Sequence, residues 1–298
     1  SYFIVPSNAK GFQQYNAFID RYVGYLTFAL NYRINGLEVR GYHVVNLAVH
    51  ILCSLALYYL VLLTFKTPFF DGKAARSGPI ALFSALLFVS HPIQTEAVTY
   101  VFQRLASLAA FFYLLSVVFY IKWRLNREIA SPSARNDYQT VPLLTKDGIK
   151  GEAIARKPPE PVEGATKQSK SYFLYLFSLI FALFAVKTKE TAFTLPVVLA
   201  LYEFSFFKGP AIKRLSGILP FFGAFLVILP TFSWFSAGVG GIGYSGISRA
   251  DYLFTEFRVI VTYMRLLVFP TGQNIDYDYP IFHSIFNPEV VFSLIFIV

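Results

Sequence analysis

The amino-acid sequence predicts an all-α protein, built as a polytopic bundle of transmembrane helices. Hydrophobic residues make up 55% of the chain and charged residues only 14%, and the mean hydropathy is +0.52. A soluble globular domain carries about 25% charged residues, so this chain has too little polar surface to cover a soluble core. The apolar residues also form long runs between short charged loops, which is the pattern of membrane-crossing helices.

The net charge of +9 belongs to the loops between these apolar runs. We therefore interpret it as a signal of membrane topology and of contact with anionic headgroups, with membrane lipid as a partner and no nucleic acid. The single cysteine, Cys53, lies inside an apolar run. An intrachain disulfide and a zinc site built on thiolates are thereby excluded.

The first half of the chain is predicted to hold an outer segment and three spans. Residues 1–42 are aromatic but too polar to cross a membrane, and Asp20–Leu37 are expected to form an amphipathic helix on its surface, within an extracytoplasmic loop. Residues 43–123 form the first group of transmembrane helices. Its apolar runs lie at about Val44–Phe65, Pro79–Ser90 and Leu105–Trp123. The second run is short, so its helix is expected to continue into His91–Val101.

The second half begins with a change of composition. Residues 124–170 are rich in proline and charge and are predicted to be a cytoplasmic, disordered loop. Residues 171–235 form a second group of transmembrane helices. Their apolar runs lie at about Tyr172–Val186, Thr191–Phe206 and Leu215–Phe235. Residues 236–289 are expected to be an extracytoplasmic loop with an amphipathic or re-entrant helix near Phe257–Phe269. Residues 290–298 start a further span and stop within it, so we expect a longer protein.

Basic residues assign the two sides of the membrane. The loops at 66–78, 124–170 and 207–214 form the more basic set, so the positive-inside rule predicts that they are cytoplasmic. Several cations nevertheless fall on the opposite side, where the rule disfavours them, and each is a candidate for binding an anion. They are Arg104, Lys187, Lys189, Arg258 and Arg265.

The segment from His91 to Arg104 is the first of three extracytoplasmic segments with polar residues suited to chemistry. It contains His91 and Glu96, and polar groups at a membrane boundary are commonly functional. The structural alternative is a helix end, with Pro92 in its first turn and Glu96 as an early-turn acid.

Two further segments combine cations with carboxylates. Lys187–Glu190 is predicted to be a tight turn whose lysines either bind a phosphate or lie along the interface. Arg265 is followed by Asp276 and Asp278, which suit a divalent metal, sugar hydroxyls or the capping of turns. No nucleotide-binding loop or soluble-hydrolase motif occurs in the sequence.

Short motifs follow one another in an order that resembles a known family. They are Tyr25–Arg33, Gly41–His50, His91–Val98, Lys187–Pro196 and Arg265–Pro270 with Asp276–Pro280. This order is similar to the membrane half of the transmembrane and tetratricopeptide-repeat (TMTC-type) proteins, especially their bacterial relatives. The resemblance covers nearly the whole chain outside 124–170.

The resemblance implies a GT-C glycosyltransferase fold. Such enzymes take a sugar from a polyprenyl-phosphate carrier and transfer it to a hydroxyl on the extracytoplasmic side, and the animal members are protein O-mannosyltransferases. The expected acceptor is a protein serine or threonine, or a glycan, and the expected location is a bacterial inner membrane with a periplasmic active face. The acidic pair that the family carries after its first span is expected before Ser1, and the tetratricopeptide repeats after Val298.

The chemistry of such a transfer assigns roles to the polar residues. A leaving lipid phosphate needs cations, and an acceptor hydroxyl needs a carboxylate base. Asp20 and Glu96 are the predicted catalytic acids. The donor phosphate is assigned to Arg104, Lys187, Lys189 and Arg265, and the acceptor or sugar to His91, Glu190, Asp276 and Asp278. A divalent cation is kept as an optional cofactor without assigned ligands.

Two other functions fit the same sequence. One is a non-catalytic membrane scaffold or assembly subunit that kept the fold and lost the acid. The other is a transporter of a lipid-linked sugar, which favours broken helices at mid-membrane and internal repeats. The sequence shows no internal repeat of fixed period.

The predicted topology is testable by labelling cysteine variants of Ser133 and Ser169 with a membrane-impermeant maleimide. In intact cells neither variant should react, because positive charge holds 124–170 in the cytoplasm. A cysteine at Asn35, in the outer segment, should react and serves as the control. Efficient labelling at Ser133 from outside would invert the topology.

Overall fold

The computed structural model describes residues 20–70, 74–129, 161–229, 248–274 and 277–298. Within these ranges all regular secondary structure is helical, which confirms the all-α class. The helices are α1 (Tyr22–Asn35), α2 (Val39–Thr64), α3 (Ser77–Ser90), α4 (Thr95–Thr99), α5 (Arg104–Ile129), α6 (Pro161–Val186), α7 (Leu195–Phe206), α8 (Ala211–Ser216), α9 (Leu219–Ile228), α10 (Arg249–Val268) and α11 (Pro288–Ile297).

Two helical stretches in the described ranges, Val39–Thr64 and Val101–Arg127, are long and apolar enough to cross a membrane. Shorter apolar helices cover Ser77–Ser90, Ser171–Val186 and Pro288–Ile297. A helix needs about 20 residues to span a membrane, so each of these two stretches is long enough to do so. The arrangement with seven spans stays a prediction.

Helix α2 packs between α3 and α5, and buried polar side chains join the three. The hydroxyl of Ser54 donates to the carbonyl of Ala85 on α3 at 2.8 Å, and the thiol of Cys53 donates to the carbonyl of Ser107 on α5 at 3.4 Å. Ala85 is itself buried. Small residues let helix backbones approach closely, and the hydrogen bonds then satisfy the polar groups that the contact buries.

Helices α5 and α6 form the central pair of the bundle. The hydroxyls of Ser116 and Ser178 each donate to the other residue's carbonyl, at 2.8 and 2.7 Å. Ala182 and Ala185 of α6 are fully or almost fully buried in the same interface. The apolar core continues from this pair onto α7 and α9, where Leu199 and Phe221 have no exposed surface.

The expected continuation of the second span into His91–Val101 is wrong. Helix α3 ends at Ser90, and His91 has an extended backbone with φ −68° and ψ 125°. Pro92 explains the break, because its ring excludes the preceding residue from the helical conformation. Two 3₁₀ turns and the short helix α4 follow, so the segment from 91 to 103 crosses the end of the bundle as a bent chain.

The predicted disordered loop at 124–170 is wrong at both of its ends. Helix α5 continues to Ile129, and helix α6 begins at Pro161, where a proline is tolerated in a first turn. Arg124 supports the longer α5, because its guanidinium Nε lies 2.8 Å from a carboxylate oxygen of the fully buried Glu203 on α7. Residues 130–160 lie outside the described ranges.

Proline and glycine also divide the next two predicted spans. A 3₁₀ turn covers Glu190–Thr194, and α7 begins one residue before Pro196. The predicted span Leu215–Phe235 is divided into α8 and α9. Its residues 230–235 lie outside the described part of the chain.

The helix predicted within residues 236–289 exists and is longer than expected, since α10 covers Arg249–Val268 rather than Phe257–Phe269. Its position on the outer side stays a prediction. A capping box sets its start: the backbone N–H of Asp251 donates to the hydroxyl of Ser248, and the Asp251 carboxylate accepts from the backbone N–H of Ser248. Residues 236–247, which start the same predicted loop, lie outside the described ranges.

Helix α1 lies where the sequence predicted a helix on the membrane surface, and it packs closely on α5 at Gly24. Its place on the membrane stays a prediction. A β-carbon at Gly24 would collide with a methyl group of the buried Leu105. We therefore expect Gly24→Ala to lower the free energy of unfolding by about 1–3 kcal/mol, the usual effect of overpacking. Thermal unfolding in detergent measures it.

Gly223 on α9 supplies the matched control, because a β-carbon there meets nothing within 4 Å. Gly223→Ala should leave stability unchanged or raise it by about 0.5–1 kcal/mol, the gain of alanine over glycine in a helix. An equal effect of both substitutions would contradict the close packing of α1 on α5.

Candidate functional site

Arg104, at the start of α5, is fully buried and joins α5 to α1 and α2. Its Nε donates to the side-chain oxygen of Asn46 at 2.7 Å, and one Nη donates to that of Asn31 at 2.8 Å. Backbone carbonyls of Tyr42 and Thr27 accept further bonds at 2.9 and 3.5 Å. We call this arrangement the Arg104 clamp.

Two aromatic rings complete the clamp. The guanidinium carbon lies 4.5 Å from the centre of the Phe28 ring and 5.5 Å from that of Tyr42. A cation over an aromatic face is stabilised by the ring quadrupole. Arg104 is therefore enclosed by protein groups, and its position argues against the predicted contact with a donor phosphate.

The turn after α6 is also occupied by internal contacts. The backbone N–H of Val23 donates to the carbonyl of Lys187 at 3.2 Å. Asp20 is buried, and its negative charge opposes the lowering of the Lys187 pKa that burial causes. Arg21 forms a two-point ion pair with Glu190, with N–O distances of 2.6 and 3.0 Å.

These contacts give three predicted site residues a structural setting. Asp20 and Lys187 lie within electrostatic range of each other, and Glu190 is paired with Arg21. Lys189 is half-buried in the same turn. The turn thus fixes the start of α1 against the end of α6.

His91 attaches the bent segment to the end of α10. Its Nε2 lies 3.1 Å from the carbonyl of Leu267, and its Nδ1 accepts from the backbone N–H of Ile93 at 3.2 Å. Nδ1 is an acceptor here, so Nε2 carries the proton that is donated to Leu267. His91 therefore positions α10 beside Glu96.

Glu96 lines a cavity of about 200 Å³ between the bent segment and α10. Hydroxyl and amide side chains surround it, namely those of Thr95, Thr99, Gln273 and Asn274, together with Tyr263 and Tyr277. Burial raises the pKa of Tyr263, and the charge of Glu96 adds to the effect. Amides, hydroxyls and tyrosine rings are suited to the hydroxyls and faces of a sugar. We call this space the Glu96 cavity.

A second cavity, of about 400 Å³, lies along another face of α10. It is lined by Arg258, Val261, Thr262, Arg265, Tyr277 and Tyr279. The side chain of Arg265 donates to the carbonyl of Thr271 at 3.2 Å and is otherwise exposed. We call this space the arginine cavity. Tyr277 lines both cavities, so the two adjoin.

The structure therefore places the four predicted phosphate ligands in three settings. Arg104 is buried in its clamp, Lys187 and Lys189 lie in the turn after α6, and Arg265 lines the arginine cavity. Among the described residues, neither cavity is lined by more than one of the four.

A metal site is not seen in the described part of the chain, where no three histidine, cysteine or acidic side chains gather. Asp278 is exposed, and Asp276 lies outside the described residues. A divalent cation at this pair stays a prediction.

Sequence reasoning missed the tyrosines of the site and placed Arg258 only among the cations. Arg258, Thr262 and Arg265 recur at intervals of four and three, which places them on one face of a helix. That spacing was available in the sequence. Tyr277 and Tyr279 reach the cavities from a loop, where periodicity gives no signal.

Comparison with known proteins finds similarity to protein O-mannosyl-transferases over a third of the chain. The chain is 35% identical to Tmtc3 of Drosophila melanogaster over 107 residues, which are 33% of the chain and 12% of that protein. It is 35% identical to human TMTC1 over 95 residues, 32% of the chain and 10% of that protein. For human TMTC4 the values are 36% over 101 residues, 33% and 14%.

The chain thus spans between 10% and 14% of the length of these three relatives. No model of a protein family matches the chain, and no solved structure matches it. The similarity supports a relationship to the TMTC proteins over the matched third.

The clamp predicts that Arg104→Lys destabilises the protein. A lysine cannot serve the oxygens of Asn31 and Asn46 together, and each buried acceptor left unpaired costs about 1–3 kcal/mol. The unfolding temperature in detergent should fall accordingly. Arg40→Lys is the matched control, because the Arg40 side chain is 95% exposed. An unchanged unfolding temperature in Arg104→Lys would contradict the stabilising role of the clamp.

Proposed function

We propose that this chain is the membrane part of a glycosyltransferase that moves a sugar from a polyprenyl-phosphate donor to a protein serine or threonine. The observation that carries the proposal is the 35–36% sequence identity, over a third of the chain, to proteins named O-mannosyl-transferases. Their name suggests mannose as the sugar. The proposed active face is extracytoplasmic, on the side of α1, α4 and α10. The two long apolar helices support a membrane location.

Glu96 is the proposed general base. It faces a cavity whose other polar groups suit sugar and hydroxyl ligands, and it is half-buried beside Tyr263. The acceptor oxygen would form a bond to the anomeric carbon, while the bond from that carbon to the phosphate oxygen breaks. The acceptor proton would pass to the Glu96 carboxylate, and the lipid phosphate would leave with the bonding electrons.

Asp20 is the alternative base, and its setting is less suitable. Its side chain is buried beside Lys187, at the start of α1. A base has to come within hydrogen-bonding reach of the proton that it removes, although apo geometry alone does not exclude one. We therefore rank Glu96 before Asp20 and assign Lys187, with Asp20, to the support of α1.

The proposed polyprenyl tail of the donor needs an apolar surface on the protein. Large apolar side chains are exposed on α3, including Leu82, Phe83 and Leu86. Exposed apolar surface of this extent marks contact with lipid or with another protein. A polyprenyl tail would occupy such a surface while its phosphate lies at the level of the headgroups.

A non-catalytic scaffold is the second candidate function, and specific contacts favour it. Arg104 and Glu190, both predicted ligands, hold helices together. If the remaining polar residues do the same, the chain would bind partners without transferring sugar. The transfer assay separates the two functions.

The test is sugar transfer by the full-length protein in detergent, from a synthetic polyprenyl-phosphate mannose to a serine- and threonine-containing peptide. Glu96→Gln should lower kcat about 10²- to 10⁴-fold, the usual contribution of a general base. Glu38→Gln is the matched control, because its side chain is 63% exposed and its nearest basic nitrogen, on Arg40, is 3.9 Å away.

Three outcomes are decisive. Loss of transfer in Glu96→Gln and its retention in Glu38→Gln supports the assignment. Full activity in Glu96→Gln with loss in Asp20→Asn moves the base to Asp20. A folded wild-type protein that transfers no sugar from any polyprenyl-phosphate donor would favour the scaffold.

A further inference from the structure

We propose that the arginine cavity binds the phosphate group of a lipid phosphate, through Arg258, Arg265 and the hydroxyl of Tyr279. The inference rests on the proposed function in one respect, since it takes the lipid to be the polyprenyl-phosphate donor. The cavity itself requires only that the ligand be an oxyanion, which carries negative charge and accepts several hydrogen bonds.

The charge of the cavity is the first argument. Within the described residues, Arg265 has the carbonyl of Thr271 as its hydrogen-bond partner and no carboxylate in an ion pair. Arg258 has Glu289 at 3.6 Å, beyond hydrogen-bonding distance, and donates to the hydroxyl of Thr262 at 3.3 Å. The positive charge of this face is therefore only partly compensated. A planar guanidinium can grip a phosphate with two parallel hydrogen bonds.

The hydroxyl of Tyr279 is the second and independent argument. It is buried, and no described group forms a hydrogen bond with it. Nearly all buried polar atoms in folded proteins have a partner, so an orphaned one is available to pair with water, an ion or a ligand. A phenol beside two arginines is suited to donate to an oxyanion.

The position of the cavity is the third argument. Arg258, Thr262 and Arg265 occupy one face of α10, four and then three residues apart. The cavity volume of about 400 Å³ falls within the range of about 300–1,000 Å³ that is typical of ligand pockets. Through Tyr277 the cavity adjoins the Glu96 cavity, so a phosphate bound here would place its sugar towards Glu96.

The turn after α6 is the weaker place for the phosphate. Lys187 lies within electrostatic range of Asp20, and Arg21 is paired with Glu190. The charges of that turn largely compensate one another. In the arginine cavity, by contrast, Arg265 has no described carboxylate in an ion pair, and the Arg258–Glu289 distance is 3.6 Å against 2.6 Å for Arg21–Glu190.

The experiment measures the binding of a short-chain polyprenyl phosphate to the full-length protein in detergent, beside the thermal unfolding of each variant. Tyr279→Phe should bind about tenfold to a hundredfold more weakly, since it loses a hydrogen bond to a charged group. Its unfolding temperature should not fall, because the hydroxyl has no partner among the described residues to lose. Arg265→Gln should weaken binding by a similar factor.

Matched controls exclude general effects of the substitutions. Tyr59→Phe removes a hydroxyl from a tyrosine that is 58% exposed on α2, and Arg40→Gln removes an exposed charge. Lys189→Gln tests the turn after α6. All three should bind with wild-type affinity. Wild-type binding by Tyr279→Phe and Arg265→Gln would overturn the proposal, and so would loss of binding in Lys189→Gln alone.

Two further ligands identify the source of the phosphate. A polyprenol without phosphate should not compete, and phosphatidic acid should compete much less than polyprenyl phosphate. Equal binding of the two phosphates would assign the cavity to a bilayer headgroup and overturn the donor assignment. Binding that depends on Tyr279 in a protein that transfers no sugar would support the phosphate site and contradict the proposed function separately.

Discussion

The end of the bundle that holds both cavities depends on one buried cation. The guanidinium of Arg104 has lost its water, and it is stable there only because oxygens of α1 and α2 surround it. Asn46 extends the same network, since its amide nitrogen lies 3.4 Å from the carbonyls of Tyr100 and Val101. A single side chain thus determines how α1, α2, α5 and the bent segment meet. Any packing that kept Arg104 buried but separated these elements would leave its guanidinium without hydrogen-bond acceptors, which is costly for a buried charge.

The clamp also explains why the two sides of the candidate site differ in character. The bent segment that carries Glu96 is fixed by the clamp and by the contact of His43 with the carbonyl of Val98 at 3.2 Å. Helix α10 meets it through the hydrogen bond between His91 and Leu267 and through the walls of the Glu96 cavity. The Glu96 cavity therefore lies between the bent segment and α10, whereas the arginine cavity is lined by α10 and by the loop that follows it.

Hydropathy predicted where helices lie, and it failed where a helix end or a partner depends on tertiary contacts. Residues 124–170 are polar as a whole, although both ends of this stretch are helical. The ion pair of Arg124 with Glu203, which supports the longer α5, cannot be deduced from the sequence. Pro92 is a local signal for the end of α3 at Ser90. The length expected of a membrane span instead led to the prediction that the helix continues beyond Pro92. Arg104 was predicted as a ligand because nothing in the sequence shows that Asn31 would meet it across 73 residues. Only its folded surroundings distinguish a structural arginine from a binding one.

The cations that oppose the positive-inside rule illustrate the same distinction in energetic terms. In the predicted topology these cations give up the favourable potential of the cytoplasmic leaflet, so another interaction has to stabilise them. For Arg104 and Lys187 that interaction is internal, with amide oxygens in one case and a carboxylate in the other. For Arg265 the described contacts offer one carbonyl, and the neighbouring Tyr279 hydroxyl has none. The proposed phosphate would add charge-assisted hydrogen bonds to those that Arg258 and Arg265 already form, and it would pair the Tyr279 hydroxyl. Among the described residues, this contrast supports the arginine cavity over the Arg104 clamp as the proposed place for an anion.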